Sequence, residues 1–512
     1  MRTQQSMINS ITSVISILII SVGKFVLTKL FINKLGVELN GLCQIFIQVS
    51  AYLSLAEGGM GTALVFSLYK PLAENNKQKI NEILFAAKKV YRYIGIGIFF
   101  FSILVSLYLN KFINTNISRR ELAILFILYT LRIVVDYFSN ISRFLLQADQ
   151  KEYKINLIMT IVKILDMILQ YILLIKVFTL EVIFIKDILV VILINFFIEK
   201  KVKKEYIWIK FTNKNLDYSF LRNVKYLIVH TLCSAIVYNT DYIVLGKFTN
   251  LKDVTIYSSY LMIINFGITV PIKGLNSLGA SIGNLISDNN LKSLKQVYLE
   301  LFNMTFYITS IIAVGIYFLI TDFIYFWLGK QFILDSISVL FLILIYIHSL
   351  TRQAVGILVN SKGLFKETRN SVILEMALNL ILSIYFVNNY GIKGVILGTL
   401  LAHLFSNFWY YPVICYRYIL KEKLRNYFIM YIKNAMELLG LCFVINIVVK
   451  TYFNYELDLF HFLLKIIVIA IIAIVIQTTY YYLYWQSFRD FVDRVYKVIK
   501  CSYISKILEK NN

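Results

Sequence analysis

Apolar residues fill about fourteen long stretches of this 512-residue chain, and only short polar connections separate them. A helix needs roughly 18 or more such residues to cross a hydrocarbon core of about 30 Å, and each stretch is long enough. We predict spans at residues 7–32, 41–69, 91–110, 121–147, 155–179, 180–198, 220–246, 254–286, 297–328, 333–360, 370–388, 391–416, 428–450 and 459–485. The pattern predicts an all-α, polytopic membrane protein.

Composition agrees with a membrane location. The chain is 59% hydrophobic and contains 38 Phe and 37 Tyr, more aromatic surface than a soluble core would bury. The connections are too short to form a soluble catalytic domain, so we expect no enzyme, no catalytic residues and no cofactor. The five cysteines show no paired spacing, so neither a disulfide framework nor a metal site is expected.

The formal net charge of +23 follows from the topology. Alternate connections hold roughly 33 Lys and Arg on one side and roughly 10 on the other, and positive residues are retained in the cytoplasm. Both termini are therefore expected there. Contact with anionic membrane lipids accounts for the remaining charge, and nucleic-acid binding is not expected because no loop could form a basic folded domain.

Two short segments occur twice along the chain. Residues 74–76 are echoed by 288–290, and residues 166–170 by 379–383, both at an offset of about 213 residues. This offset spans six predicted helices, so the repeats would be parallel.

The repeats predict two lobes and a set of additional segments. We expect an N-terminal six-helix lobe at residues 1–198, a cytoplasmic basic linker at 199–219, a C-terminal six-helix lobe at 220–417, two additional transmembrane helices at 418–485, and a cytoplasmic amphipathic tail at 486–512.

Charged residues inside the spans are few, and each is costly in hydrocarbon unless it faces protein or water. In the fourth span Arg132, Asp136, Asn140 and Arg143 recur every three or four residues, which places them on one helix face. They predict either a buried interhelical seam with an Arg132–Asp136 pair, or one wall of a hydrated polar path.

Other intramembrane charges are candidate site residues. Glu57 precedes glycines in the second span, so a carboxylate meets a loosened backbone. Asp241 lies in the seventh span, and Lys273 lies in an eighth span that we expect to be interrupted by Gly267, Pro271 and Gly274. Lys24 and Lys29 of the first span either extend to the membrane interface or face the interior.

The first helical hairpin carries a family resemblance. Its motifs are Leu35-Gly-Val-Glu-Leu-Asn-Gly41, Leu53-Ser-Leu-Ala-Glu-Gly-Gly-Met-Gly61 and Phe66-Ser-Leu-Tyr-Lys-Pro-Leu-Ala-Glu-Asn75. It resembles that of bacterial polysaccharide-repeat-unit flippases, members of the multidrug/oligosaccharidyl-lipid/polysaccharide exporter superfamily. The similarity continues at residues 146–150, 240–241, 280–285, 352–353, 391–399 and 408–412, and it covers about the first 420 residues.

The resemblance implies two pseudo-symmetric six-helix lobes around a central cavity, working by alternating access. In relatives the first, second, seventh and eighth helices line this cavity, and cationic groups there attract a pyrophosphate. On this chain the implied substrate-binding residues are Lys24, Lys29, Glu57, Asp241, Lys273 and Arg352, with Glu57 and Asp241 as candidates for ion coupling. Relatives often have Arg where this chain has Lys, which lacks the bidentate guanidinium fork.

The expected function is to flip undecaprenyl-pyrophosphate-linked oligosaccharides from the inner to the outer leaflet of the bacterial cytoplasmic membrane. Such units supply surface polysaccharide, as in O-antigen, lipopolysaccharide or capsule, and a polysaccharide polymerase and chain-length machinery are candidate partners. A peptidoglycan-precursor flippase and a cation-coupled multidrug antiporter of the same superfamily are alternatives. A membrane polysaccharide polymerase, from another functional class, would need a sizeable outer loop with catalytic groups.

Overall fold

The computed structural model describes residues 2–177, 179–209, 215–276, 279–288, 290–453 and 458–494. Over these residues the chain forms helices and no strand. Ten helical segments are long and apolar enough to cross a membrane, and one of them, residues 365–420, contains two predicted spans. Large apolar side chains such as Tyr93, Phe443 and Ile381 are more than half exposed, as a lipid-facing surface requires. The predicted all-α, multi-pass membrane fold is confirmed.

The chain divides into two compact units. The first unit comprises residues 1–261 and 372–402. It contains α1 (Arg2–Leu35), α2 (Val37–Ser54), α3 (Met60–Ala73), α4 (Lys77–Tyr108), α5 (Arg119–Ser139), α6 (Ile141–Ala148), α7 (Glu152–Lys176), α8 (Leu180–Glu205), α9 (Val224–Phe248), the start of α10 (Leu251–Asn276) and, from later in the chain, the middle of α14 (Phe365–Phe405).

The second unit comprises residues 262–371 and 403–512. It contains the rest of α10, the two ends of α14, α11 (Gly279–Ser287), α12 (Leu291–Leu328), α13 (Ser336–Ser361), α15 (Asn407–Cys415), a π-helical turn (Tyr416–Leu420), α16 (Leu424–Tyr452) and α17 (Leu459–Tyr484). The division of the chain into six-helix lobes at 1–198 and 220–417 stays a prediction.

The second predicted span is broken where the sequence places adjacent glycines. A 3-10 turn, Leu55–Glu57, separates α2 from α3, and Gly58 and Gly59 follow it with φ of 55° and 80°. Residues with a Cβ are strained in this left-handed region. In contrast, α10 continues through Pro271, so the expected interruption at Gly267–Gly274 is wrong: a helix tolerates a proline where neighbouring groups satisfy the freed carbonyl.

Two helical arms of α14 meet at Gly391, whose φ of 53° and ψ of −130° are not helical. A Cβ on Gly398 would lie 2.6 Å from the backbone nitrogen of Ser383, so the arms approach more closely than side chains would allow. The hairpin brings residues 379 and 399 into contact, although 20 positions separate them.

The start of α2 packs tightly on the start of α10 within the first unit. A Cβ on Gly41 would lie 2.0 Å from the carbonyl oxygen of Leu251. The hydroxyl of Thr255 donates a 2.7 Å hydrogen bond to the carbonyl of Val37. The motif at residues 35–41, which supports the family resemblance, therefore includes a backbone contact that only glycine allows.

The beginning of the predicted tail docks on the second unit. Residues 486–494 are helical, and Phe488 is buried against the rings of Tyr307 and Tyr481. Arg494 forms a 2.8 Å ion pair with the buried Glu300 of α12. The rest of the predicted tail, residues 495–512, lies outside the described residues.

Candidate functional site

The residues singled out from the sequence fall in both units. Lys273 and Arg352 belong to the second unit. The first unit contains Lys24, Lys29, Glu57, Arg132, Asp136, Asn140, Arg143 and Asp241. Within that unit the structure brings Asp136, Asn140 and Arg143 together, and it joins Glu57, Arg132 and Asp241 to partners that the sequence did not indicate.

Asp136 and Arg143 form an ion pair where α5 passes into α6. Nη2 of Arg143 lies 2.7 Å from Oδ1 of Asp136. Asn195 of α8 binds both side chains, since its amide oxygen accepts from Arg143 at 2.6 Å and its amide nitrogen donates to Asp136 at 2.9 Å. Asn140, which is buried, is the residue between the two helices. Sequence reasoning missed Asn195, whose only signal was an amide in an otherwise apolar stretch.

The expected Arg132–Asp136 pair is wrong. Nη1 of Arg132 lies 3.8 Å from Asp187 on α8, and its guanidinium stacks 4.2 Å from the ring centroid of Tyr129. An intrahelical i, i+4 pair is worth only a few tenths of a kcal/mol, about 0.2–0.5, so carboxylates on neighbouring helices can compete for the same cation.

A charged network continues from Asp187 through the first unit. The ammonium of Lys186, which is buried, lies 2.7 Å from Asp187 and 2.6 Å from Asp166 on α7. Asp166 also pairs with Lys163 at 2.9 Å. These ion pairs join α7 to α8.

Lys24 adds a further positive charge to this network. Its side chain is exposed on α1, and it interacts electrostatically with the like charges of Lys163 and Arg132. With Lys186, the cluster contains four cations, whereas Asp166 and Asp187 supply two negative charges. Lys29 is exposed further along α1. The region around Lys24 therefore has an excess of positive charge.

Glu57 has a complete set of hydrogen-bond donors. Tyr91 donates to its Oε1 at 2.6 Å, and Tyr137 donates to its Oε2 at 3.1 Å. The backbone nitrogen of Gly61 donates to Oε1 at 3.1 Å. The carboxylate thus joins the broken second span to α4 and α5. These hydrogen bonds fix the position of the break.

Asp241 lies in a buried cluster of oxygen atoms on α9, α10 and α14. Its Oδ2 accepts from Thr399 at 2.7 Å and from Tyr257 at 2.9 Å, and its Oδ1 lies 3.4 Å from the hydroxyl of Ser383. Asn379 donates to Thr399 at 2.9 Å, and the amide oxygen of Asn379 is buried with no hydrogen-bond partner. Carboxylate, hydroxyl and amide oxygens together are the ligands that hard cations prefer.

The two candidate residues of the second unit differ in their exposure. Lys273 is exposed near the end of α10. Arg352 of α13 is partly buried, and its guanidinium lies 5.1 Å from the ring centroid of Tyr411 on α15. Arg352 also lines a small cavity together with His348.

A further ionic cluster joins the loop after α6 and the start of α7 to the end of α8. Lys154 lies 2.6 Å from Glu205, and Lys151 pairs with Asp149 and bonds Tyr206 at 3.1 Å. Burial raises the pKa of Glu205, but the hydrogen bond and charge of Lys154 outweigh it, so this pKa is lowered. Burial alone would lower the pKa of Lys151. The hydrogen bonds to Asp149 and Tyr206 outweigh burial, so the pKa of Lys151 is raised.

No group of three or more His, Cys, Asp or Glu side chains that could hold a metal ion occurs among the described residues. Cys43, Cys233, Cys415 and Cys442 are free thiols.

Comparison of the sequence with protein-family models and with curated proteins finds no match in either set. Solved structures do match. A lipid II flippase, MurJ, in an inward closed conformation has a TM-score of 0.68 and 18% identity, covering 95% of this chain and 100% of its own. An inward-facing multidrug resistance transporter of the MATE family of the MOP superfamily has a TM-score of 0.64 and 14% identity, covering 77% of this chain and 94% of its own.

A MATE transporter from Vibrio cholerae has a TM-score of 0.61 and 15% identity, covering 83% of this chain and 98% of its own. The identities are low, but the alignments extend over most of each molecule. This chain therefore has the fold that the lipid II flippase and the MATE transporters share.

Proposed function

We propose that this protein flips undecaprenyl-pyrophosphate-linked oligosaccharide repeat units from the inner to the outer leaflet of the bacterial cytoplasmic membrane, by alternating access. The observation that carries the proposal is the excess of positive charge at Lys24. Two like charges, on Lys163 and Arg132, interact with this exposed ammonium inside the first unit.

The charge balance matches an anionic headgroup. Charges inside a membrane are costly, and they are retained where they meet a partner or line a polar path. Four cations against two carboxylates leave about two positive charges, which complement a diphosphate. The network of Lys186, Asp166 and Asp187 holds the cluster in place, while Lys24 presents its ammonium for binding.

The mechanism needs no covalent chemistry. A diphosphate and its sugars cannot enter hydrocarbon without losing their hydration, so they need a hydrated, cationic path. The prenyl chain is apolar and stays in the lipid. Rocking of two helical lobes then exposes the bound headgroup to the other side of the membrane. The described residues form no soluble domain that could hydrolyse a nucleotide.

The Asp241 cluster is the proposed site for a coupling cation. Its carboxylate, two hydroxyls and the free amide oxygen of Asn379 converge in one buried place. Either Na⁺ or a proton fits these ligands. Glu57, the other candidate, already accepts three hydrogen bonds, so we assign it to fixing the break between α2 and α3.

A second candidate function is flipping of lipid II itself. The structural match to the lipid II flippase covers 95% of this chain, whereas the two MATE transporters described above cover 77% and 83%. This difference favours a lipid-linked cargo over a small drug. The two flippase functions share the anionic diphosphate headgroup and differ in the sugars attached to it.

Deletion of the gene in its host, followed by extraction of lipid-linked intermediates, tests the proposal. We expect surface polysaccharide to be lost and complete lipid-linked repeat units to accumulate on the inner leaflet. Accumulation of lipid II would support the second candidate instead. Normal polymer would contradict both flippase functions, and intact units that reach the outer leaflet unpolymerised would indicate a polymerase.

Complementation with variants then tests the cationic cluster. Lys24→Gln should fail to restore surface polysaccharide at normal membrane abundance, and Lys24→Arg should restore it. Lys176→Gln is the matched control, because Lys176 is an exposed lysine at the end of α7 outside the cluster. Full restoration by Lys24→Gln would contradict a cargo role for this residue.

A further inference from the structure

A pair of histidines lies inside the second unit. His348 of α13 and His403 of α14 are both about 95% buried, and their ring centroids are 5.0 Å apart with the planes tilted by 36°. Phe408 of α15 packs on the other side of His348, at 6.0 Å.

One ring nitrogen of this pair has no partner. Nε2 of His348 is buried and makes no hydrogen bond. A neutral imidazole has one N–H donor and one acceptor nitrogen, so Nε2 has an unmet bond in either tautomer. Most buried polar atoms are satisfied, and an exception indicates a bound water, an ion or a functional role.

A small cavity adjoins His348. It measures about 10 Å³, which is room for about one water molecule, and Thr351, Arg352 and Val355 of α13 line it with residues of α15 and α16. The helix is broken beside it, because Ser406, between α14 and α15, has φ of −123° and ψ of −93°. Broken membrane helices are tolerated where they face protein or a polar cavity.

We propose that the His348–His403 pair, with one water in the adjoining cavity, is a proton-binding site of the second unit. A hydronium ion donates its proton to Nε2 of His348, which leaves a water molecule and an imidazolium. The proposal does not depend on the identity of the cargo.

The surrounding groups set when the proton binds. Arg352, one helical turn from His348, is a permanent cation beside the pair. Tyr427 and Tyr431 of α16 and Tyr411 of α15 are the other titratable groups facing this region, and α12 presents no charged group that interacts with His348. No carboxylate is among the described residues lining the cavity. Proton uptake therefore requires water entry or movement of Arg352.

Only four histidines occur in the chain, so imidazole nitrogens can be observed individually. Full-length protein labelled with ¹⁵N-histidine in lipid nanodiscs should be titrated from pH 9 to pH 4.5. We expect the two rings to protonate in separate steps, on the order of one to two pH units apart, because two charges about 5 Å apart repel strongly at low dielectric. His403→Gln should leave His348 with a single step.

Two variants control this measurement. His461→Gln removes an exposed histidine at the start of α17 and should leave both steps unchanged. Val355→Ile keeps both imidazoles and fills the cavity, so it should slow solvent exchange at Nε2 of His348. Rings that stay neutral down to pH 4.5, or that titrate without sensing each other, would overturn the proposal, and the wild-type titration alone decides this even if a variant misfolds.

Discussion

Asn379 donates a hydrogen bond to Thr399, 20 positions later, across a distance of 2.9 Å. Lys186 donates to Asp166 over the same separation of 20 positions, and an offset of about 213 residues relates the two pairs. The weak internal repeat thus reappears as equivalent contacts. In the first copy of the repeat, the contact includes a lysine ammonium. In the second copy, the polar side chains surround Asp241.

Asp241→Asn should abolish the response to the coupling cation. The substitution removes the negative charge but keeps the shape of the cluster, so a bound cation loses its main attraction. We expect Na⁺ or acid pH, whichever couples transport, to raise the Tm of the wild-type protein in detergent but not that of the variant. Thr399→Val should weaken the response, and Lys176→Gln should leave it intact. An unchanged response in Asp241→Asn would exclude the site.

Lys186→Met should destabilise the first unit strongly. Lys186 is 3% exposed and pairs with two carboxylates, which the substitution leaves without their shared cation. Breaking a buried ion pair costs about 3–5 kcal/mol. We expect a lower Tm and lower membrane abundance, with partial recovery in the double variant Lys186→Met/Asp166→Asn. Lys163→Met, at a more exposed pair, should cost about 1 kcal/mol or less. Equal effects of the two single variants would be inconsistent with this explanation.

Gly41→Ala should separate the start of α2 from α10. Its Cβ would lie 2.0 Å from the carbonyl oxygen of Leu251, so the backbones must move apart. Overpacking of this kind costs about 1–3 kcal/mol. Gly97→Ala is the matched control, since no atom lies within 4 Å of its added Cβ, and there we expect a small gain in helix stability. Thermal unfolding of both variants in detergent measures the contrast, and a stable Gly41→Ala protein would refute the close contact.

Acid should weaken the contact between Lys154 and Glu205. The folded-state pKa of Glu205 is lowered from 4.5, so its contribution to stability is present above that value and is lost as the pH falls through the folded-state pKa. At pH 7, Glu205→Gln should lower the Tm, and the difference from wild type should shrink as the pH falls below 4.5. Glu74→Gln removes an exposed pair with Lys70 and should have little effect at either pH. A pH-independent difference at Glu205 would mean that its charge does not contribute.

Much of the fold could be predicted from local patterns. Apolar length indicated an all-α membrane fold, and the adjacent glycines after Glu57 indicated a loosened backbone at the point where the second span is broken. These features depend on neighbouring residues, so the sequence displays them directly. The continuity of α10 through Pro271 was not predictable in this way, because tertiary packing decides whether a proline bends or ends a helix.

The site was less predictable, because its partners come from distant segments. Arg132 had a carboxylate four residues away, yet it pairs with Asp187 on another helix. The ligands around Asp241 lie 142 and 158 positions later in the chain. Helix periodicity indicates which side chains share a face of one helix, but it does not indicate which neighbouring helix that face contacts.

The first compact unit has a consequence for how this protein is made. Residues 372–402 belong to it, although the residues before them, from 262 onward, belong to the second unit. During synthesis, helices enter the membrane in chain order, so the oxygen cluster at Asp241 cannot be completed until Thr399 has left the ribosome. Ribosome-stalled chains ending before and after this point should therefore differ in protease resistance near Asp241. The late hairpin makes maturation of the early helices depend on nearly the whole chain.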